Sequence, residues 1–200
     1  MIISDGFGGT VRVWRIADGT PVGEPLTGHD GGVNAVAAGT LLDGTPVIIS
    51  GSEDATVRVW RTADGTPVGE PLTGHDGHVN AVAAGTLPDG TPIIISGGDD
   101  GTVRLWRTAD GTRVGESLAS HDGAVFAVAA GMLPDGTPVF VSAGGDGMVR
   151  LWRPADGTPV APPLDLSESV QAVAVHGIVI VTMAGADIAV HQPALPRPMR

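Results

Sequence analysis

The stretch TVRVWR at residues 56–61 decides the fold, because it returns along the chain with almost the same letters. Its tryptophan recurs every 46 residues, at Trp14, Trp60, Trp106 and Trp152. A repeat of this length is typical of a four-stranded propeller blade or of a HEAT-type helix pair, and each such unit buries its apolar face against its neighbours. The chain is therefore a repeat protein, and the residues within one repeat distinguish the two architectures.

One repeat predicts four short β-strands. The unit 29–74 is identical to the unit 75–120 at 35 of 46 positions, and 121–166 follows the same template. Within each unit, short apolar runs are separated by Asp-Gly, Pro and Gly-Gly, which is the spacing of strands and tight turns. The run VIIS at 47–50 is apolar at consecutive positions, so both faces of its sheet must be covered, as in blades packed around an axis. We predict an all-β fold, a β-propeller of four-stranded antiparallel blades.

Composition and charge exclude several classes of function. The chain contains no Cys, so it has no disulfide, no thiolate zinc site and no thiol nucleophile. Its net charge is -11 and its eleven Lys and Arg residues are all Arg, which excludes a lysine-based phosphate loop and disfavours nucleic acid and anionic membranes as partners. The first residues, MIISDG, do not resemble a signal peptide, and no apolar run is long enough for a membrane span. We expect a cytoplasmic protein.

The order of the polar residues in the repeat is similar to that of a WD-repeat β-propeller. Gly-His begins two copies at 28–29 and 74–75, and SGSED at 50–54 precedes TVRVW at 56–60, with the same order in later copies. In that family a His, a Ser or Thr, an Asp and a Trp form a buried hydrogen-bonded tetrad within each blade. The resemblance implies three structural tetrads in this chain: His29, Ser50, Asp54 and Trp60; His75, Ser96, Asp100 and Trp106; His121, Ser142, Asp146 and Trp152.

The tetrad has a physical reason that does not depend on the family. Each buried polar group costs free energy unless it is paired, and a chain of hydrogen bonds from Trp through Ser and His to Asp pairs all four. The same residue types would suit a hydrolase, but they occur three times, the hydroxyl is expected to be buried, and no G-x-S-x-G turn is present. The His residues are spread one per blade, which argues against a shared metal site. We expect no catalytic residue, no metal and no cofactor.

The repeat pattern weakens at both ends of the chain. Residues 1–28 supply a partial unit without an inner strand, and Gly8 stands where the Asp of a tetrad would be. In the last, degenerate unit, 167–200, Ser167 takes the His position, Thr182 lies near the Ser position and His191 replaces Trp, while 194–199 still resembles an outer strand. Together with the three complete units, these segments predict one propeller domain of about five blades over residues 1–200.

The sequence leaves the closure of the ring open. Five blades are compatible with a small closed ring, an open arc or a part of a longer chain. An open arc would leave the apolar face of a blade exposed, and such a protein should associate with itself.

For function, we expect a non-enzymatic scaffold that binds a protein or peptide on the propeller face. Positions that differ between near-identical copies escape the shared packing constraints, and two sets of them lie where the inner strands begin. These candidate contacts are Gly32, His78 and Ala124, and Asn34, Asn80, Phe126 and Gln171. Acidic residues repeat around the ring, which is typical of a solvated face and would also suit a basic partner. One alternative is a C-terminal sensor region of a larger signalling or NTPase protein. Another is a channel-centred hydrolase or lyase, although the inner strands carry mainly Ala, Val and Gly.

Overall fold

The computed structural model describes residues 2–4, 8–119, 121–176, 179–185 and 187–191. Within these residues the chain forms β-strands, turns and bends, and none of its elements is a helix that could cross a membrane. The strands assemble into five antiparallel sheets, which follow one another in chain order. The prediction of an all-β fold with antiparallel blades is thus confirmed.

The sheets are numbered 1 to 5. Sheet 1 contains β1 (Ile2–Ser4), β2 (Thr10–Trp14) and β3 (Leu26–Thr27). Sheet 2 contains β4 (Val33–Thr40), β5 (Pro46–Ser52) and β6 (Val57–Arg61). Sheet 3 contains β7 (Val79–Thr86), β8 (Pro92–Gly98), β9 (Thr102–Arg107) and β10 (Leu118–Ala119). Sheet 4 contains β11 (Val125–Met132), β12 (Pro138–Gly144), β13 (Met148–Trp152) and β14 (Leu164–Asp165). Sheet 5 contains β15 (Val170–His176), β16 (Val179–Ala184) and β17 (Asp187–His191).

The sheets with three strands differ from one another in what they lack. Sheet 1 has the second, third and outer strands of a unit and no inner strand among its described residues, as the sequence predicts. In sheet 2 the outer strand is reduced to a bridge between Val57 and Leu72. Sheet 5 has an inner, a second and a third strand, and the outer strand expected at 194–199 lies outside the described residues.

Tight turns with the sequence Asp-Gly-Thr end many of the strands. In the turn after β4, the Asp43 carboxylate accepts the backbone N–H of Thr45 at 2.9 Å, and Gly44 has a φ of 82°. This left-handed conformation is easily adopted by glycine, and the Asp side chain replaces a backbone acceptor. The same three letters therefore build the corresponding turn in each complete unit.

The apolar core lies between successive sheets. Four clusters of buried residues join sheet 1 to sheet 2, 2 to 3, 3 to 4 and 4 to 5. We call the face of a sheet that points to the next sheet along the chain its forward face, and the opposite face its rear face. The forward faces of sheets 1, 2 and 3 each pack against the tryptophan of the following sheet, namely Trp60, Trp106 and Trp152.

Glycines on the second strands allow neighbouring sheets to approach closely. A side chain at Gly51 would meet Val79 of the next sheet, since an added Cβ would lie 2.6 Å from its Cγ1 atom. Gly97 is in the same position relative to Val125. The small residue at this position therefore sets the distance between adjacent sheets.

Candidate functional site

The first tetrad is built from three segments of sheet 2. Trp60 on β6 donates its indole N–H to the Ser50 hydroxyl on β5 at 2.9 Å, and Ser50 lies 2.8 Å from Nε2 of His29. The other ring nitrogen of His29, Nδ1, lies 2.8 Å from the Asp54 carboxylate, which also accepts the backbone N–H of Asp30 at 3.0 Å. The network ties the loop before the inner strand to the turn between the second and third strands.

The same arrangement recurs in sheets 3 and 4. Trp106 donates to Ser96 at 2.9 Å and Trp152 donates to Ser142 at 2.9 Å. The His residues lie 2.8 Å and 2.9 Å from these hydroxyls, and within 3.1 Å of the carboxylates of the Asp residues. The structure therefore brings together all twelve residues that the resemblance assigns to tetrads.

The charges within the tetrads are fixed by burial and by hydrogen bonds. Burial lowers the pKa of His29, His75 and His121, and the hydrogen bond to Asp offsets this only in part, so the imidazoles are neutral at pH 7. Burial alone would raise the pKa of the three Asp carboxyls, but the hydrogen bonds that they accept outweigh it and lower the pKa to about 2. An ionised Asp requires a donor, so Nδ1 of each His donates to Asp and Nε2 accepts from Ser.

This geometry explains why the Ser-His-Asp sets are structural. Each of the three serines is fully buried, and its oxygen is already engaged by both Trp and His. A nucleophile must reach its substrate, and a hydroxyl enclosed between two sheets does not. What the arrangement does chemically is satisfy every buried polar group while holding two loops together.

Besides His, another side chain donates a hydrogen bond to the tetrad Asp, and its identity differs between sheets 2 and 4. Thr56 donates its hydroxyl to Asp54 at 2.7 Å, but Met148 stands at the corresponding position in sheet 4. There the guanidinium of Arg150 takes its place and lies 2.9 Å from Asp146. The guanidinium of Arg150 thus compensates for the lost hydroxyl.

Sheet 5 keeps a remnant of the network. Strand register places His191 opposite Ile180, as Trp60 lies opposite Ile48 in sheet 2. Nε2 of His191 lies 3.0 Å from the hydroxyl of Thr182, which is buried. Among the described residues of sheet 5, only the Ser and Trp positions of the tetrad are therefore filled by side chains that meet, namely Thr182 and His191.

The candidate partner contacts lie at one face of the molecule, where the inner strands begin, which we call the top face. Gly32, His78 and Ala124 immediately precede the inner strands of sheets 2, 3 and 4. Asn34, Asn80, Phe126 and Gln171 are the second residues of the four inner strands. Of the seven, His78, Asn34 and Gln171 are exposed, Ala124, Asn80 and Phe126 are partly buried, and Gly32 is buried.

Three turn residues complete this surface, and sequence reasoning missed them. Glu53 accepts the backbone N–H of Gly32 at 3.1 Å, which explains why that glycine is covered. Asp99 accepts a hydrogen bond from Asn80 at 2.6 Å and lies 3.4 Å from Nδ1 of His78. The third turn residue is Gly145, and a Cβ added to it would lie 3.5 Å from the Phe126 ring. The turn position differs in all three copies, and that variation is the signal that could have revealed it.

Two of the candidate contacts also have a structural role. The side-chain amide of Asn34 donates to the backbone oxygen of Val79 at 3.4 Å, and Asn80 donates to that of Val125 at 3.5 Å. Each bond joins one inner strand to the next across the sheet boundary. The inner strands of adjacent sheets are therefore joined by two of the residues that the sequence analysis proposes for partner binding.

The opposite, bottom face contains a cleft of about 500 Å³ at the ends of the inner strands. It is lined by Thr and Gly residues of the inner strands and by Met132, which is 53% exposed. The lining offers no charged side chain, so this cleft has none of the acids or bases that a channel-centred enzyme needs. Among the described residues, no group of three His, Asp or Glu side chains is placed to hold a metal ion.

The comparison with protein families gives one answer. The family described as WD domain, G-beta repeat matches residues 19–61, 65–107 and 112–153, and each match ends at a Trp-Arg pair of the repeat. A comparison with curated proteins found no match. The family matches cover more than half of the chain and include all four residues of each complete tetrad. The chain belongs to the WD40 repeat family.

Proposed function

We propose that the chain is a non-enzymatic scaffold that captures a protein or peptide on its top face. WD40 repeats generally mediate interactions between proteins. The observation that carries the proposal is the position of the differences between copies. Three of the positions that vary among the three complete units lie together on the top face, and in sheet 3 they are His78, Asn80 and Asp99.

The charge of this surface supports a basic partner. Exposed carboxylates surround the variable positions, and they are contributed by Asp30, Glu53, Asp76, Asp99, Asp122 and Glu168. Cations near them are few, since Arg104 and Arg150 bind the tetrad carboxylates beneath the surface. An acidic face attracts an Arg-rich or Lys-rich segment and repels nucleic acid and anionic membranes.

The top face also carries one partly buried aromatic side chain, Phe126. Phe126 stands where sheets 2 and 3 have Asn and sheet 5 has Gln, and the turn beside it carries Gly145 instead of an acid. An aromatic side chain with one side covered and one side open is a frequent anchor in protein interfaces. Phe126 is the apolar anchor of the proposed interface. The carboxylates around it select a partner with basic residues.

The test is capture by the protein carrying both His78→Ala and Phe126→Ala. The unmodified protein is immobilised, partners are captured from a lysate and identified by mass spectrometry, and the affinity of a purified partner is then measured. The double variant should weaken that affinity by roughly 30-fold or more, which is the scale of an interface hot spot. Its thermal midpoint should stay nearly unchanged, because neither side chain belongs to a tetrad.

A matched control lies on the bottom face. Leu42 is 72% exposed in the loop after β4, and Met132 is 53% exposed. The double variant Leu42→Ala and Met132→Ala should bind the partner as the unmodified protein does. Binding that survives the top-face variant, or that is lost in the bottom-face variant, refutes the assignment of the top face.

A further inference from the structure

The forward face of sheet 5 differs from every other forward face in the described chain. Ile188 is 73% exposed and Val190 is 66% exposed. Strand register equates these two with the third-strand pairs of sheets 1 to 4, which are at most 6% exposed: Val11 and Val13, Val57 and Val59, Val103 and Leu105, Val149 and Leu151. An apolar row that the fold buries four times is open to solvent the fifth time.

The four side chains next to this pair are also apolar, and the exposed His176, opposite Val179, is the polar side chain farther along the same face. The row opposite Ile188 consists of Met183 and Ala172, and the row opposite Val190 consists of Val181 and Ala174. None of these side chains can carry a charge or form a strong hydrogen bond with water. Contiguous apolar surface of this kind on a soluble protein marks an interaction site.

Met183 shows what kind of neighbour the face accepts. Its register position is occupied by Gly51, Gly97 and Ala143 in sheets 2, 3 and 4. There the residue must be small because the first valine of the next inner strand presses against it, as Val79 does at Gly51. A long side chain at this position blocks a neighbour that has an inner strand. The same long side chain fits a neighbour that lacks an inner strand, because the side chain then fills the space that the inner strand would occupy.

Sheet 1 is such a neighbour. Its described strands are the second, third and outer strands of a unit, without an inner strand. Its rear face carries Trp14, which is half-buried and is equivalent to Trp60, Trp106 and Trp152. Those three tryptophans each pack on the forward row of the preceding sheet, and Ile188 with Val190 forms a row of the same kind.

We propose that the forward face of sheet 5 binds the rear face of sheet 1 of a second copy of this chain. The contact is head to tail, with Trp14 of one copy on Ile188 and Val190 of the other and with Met183 filling the missing inner-strand position. It extends the stacking that already joins the five sheets, and it uses a different surface from the top face proposed for partner capture. A heterologous contact of this type continues from copy to copy unless the rotation closes a ring.

The first measurement is the mass of the purified chain by light scattering over a wide range of concentrations. The unmodified protein should exceed its monomer mass of 20.1 kDa and grow with concentration beyond a dimer. The double variant Ile188→Asp and Val190→Asp should weaken the association at least about 100-fold, because it would bury two unpaired carboxylates. Both positions are exposed, so this variant should keep the circular dichroism of the unmodified protein.

A matched control tests whether any exposed apolar residue would have the same effect. Leu42 is as exposed as Ile188 and lies in the loop between β4 and β5 of sheet 2, so it belongs to neither end face. The variant Leu42→Asp should associate as the unmodified protein does. The proposal is overturned if the Leu42→Asp variant dissociates, or if the unmodified protein stays monomeric at every concentration.

A mixing experiment distinguishes head-to-tail contact from a symmetric contact between two copies of sheet 5. Trp14→Ala blocks the rear face and should not associate alone, while a mixture with the Ile188→Asp, Val190→Asp variant should give a dimer that does not grow, since one productive contact remains. Arg12→Glu, an exposed change on the same rear face, replaces Trp14→Ala if that variant does not fold. Self-association of the rear-face variant, or a mixture that stays monomeric, overturns the head-to-tail assignment.

Discussion

Sheets 2, 3 and 4 carry a complete tetrad and are covered on both faces, whereas sheet 5 has neither. In sheet 4 the indole of Trp152 reaches Ser142, and the network continues through His121 to Asp146. In sheet 5 the hydrogen bond between Thr182 and His191 is what remains of it. The comparison teaches that the tetrad and the close stacking of sheets occur together, because a Trp on the rear face fills the core and must also pair its N–H.

The second strand of each sheet also differs between sheets 2 to 4 and sheet 5. Position 51 and its equivalents are Gly, Gly and Ala where another inner strand follows, and Met183 where no described sheet follows. This position holds a small residue where the next sheet packs closely against it, and a long residue where no described sheet does. The predictions below test whether the two regions also differ in stability, beginning with the largest effect.

Acid should unfold sheets 2, 3 and 4 while leaving the local stability of sheet 5 less affected. The pKa of each tetrad Asp is lowered from 3.8 to about 2, so its contribution of about 2 kcal/mol is complete above pH 3.8 and is lost as the pH falls toward 2. The pKa values of the tetrad His are lowered by burial, so stability begins to fall below about pH 6.5, where the unfolded chain takes up the proton. Denaturant unfolding at pH 7, 5 and 3 measures the loss.

Hydrogen exchange followed by mass spectrometry locates that loss. Amide exchange in the strands of sheets 2 to 4 should accelerate more between pH 7 and 4 than exchange in β16, after correction for the intrinsic rate. An equal acceleration in all five sheets, or a free energy of unfolding that does not change above pH 4, would contradict the link between the tetrads and acid sensitivity.

Removing the central hydroxyl should cost more in a complete tetrad than in its remnant. Ser96→Ala leaves two buried atoms without a hydrogen bond, Nε2 of His75 and the indole N–H of Trp106, and should lower the free energy of unfolding by roughly 2–4 kcal/mol. Thr182→Val removes one bond, to His191, from a site of similar burial and should cost about 1 kcal/mol. Urea denaturation measures both, and equal losses would show that the second hydrogen bond of Ser96 adds nothing to the stability of the complete tetrad.

Adding one methyl group tests the close packing between sheets. A Cβ at Gly97 would collide with the side chain of Val125, which is fully buried, so Gly97→Ala should cost about 1–3 kcal/mol. Met183→Ala, at the equivalent position of sheet 5, should change the stability of the dilute protein by no more than about 0.5 kcal/mol. If Gly97→Ala is as harmless as Met183→Ala, sheet 3 is not held as closely as the structure indicates.

The sequence predicts most of this architecture because the evidence is repeated. The Trp spacing, the Asp-Gly-Thr turns and the missing inner strand of sheet 1 can all be recognised from residue order, since each depends on local periodicity. The pairing of His78 and Asn80 with Asp99 could not be predicted, because it depends on how two loops of one blade are folded together. The exposure of Ile188 likewise depends on which sheet follows in space, and an apolar strand looks the same in either case.

The smallest effect concerns a turn that differs within the complete units. Ala55 has a φ of 65°, and the equivalent residues Gly101 and Gly147 have φ values of 70° and 73°. A left-handed conformation costs a non-glycine residue about 1–2 kcal/mol, so Ala55→Gly should stabilise sheet 2 by about 1 kcal/mol despite the greater freedom of glycine in the unfolded chain. The reverse change, Gly101→Ala, should destabilise sheet 3 more strongly, since its Cβ would lie 2.6 Å from the backbone oxygen of His121. A rise in the urea midpoint for the first variant and a fall for the second would show that the left-handed conformation of Ala55 destabilises sheet 2. A fall for both would mean that the Ala55 methyl group contributes packing that outweighs the strain.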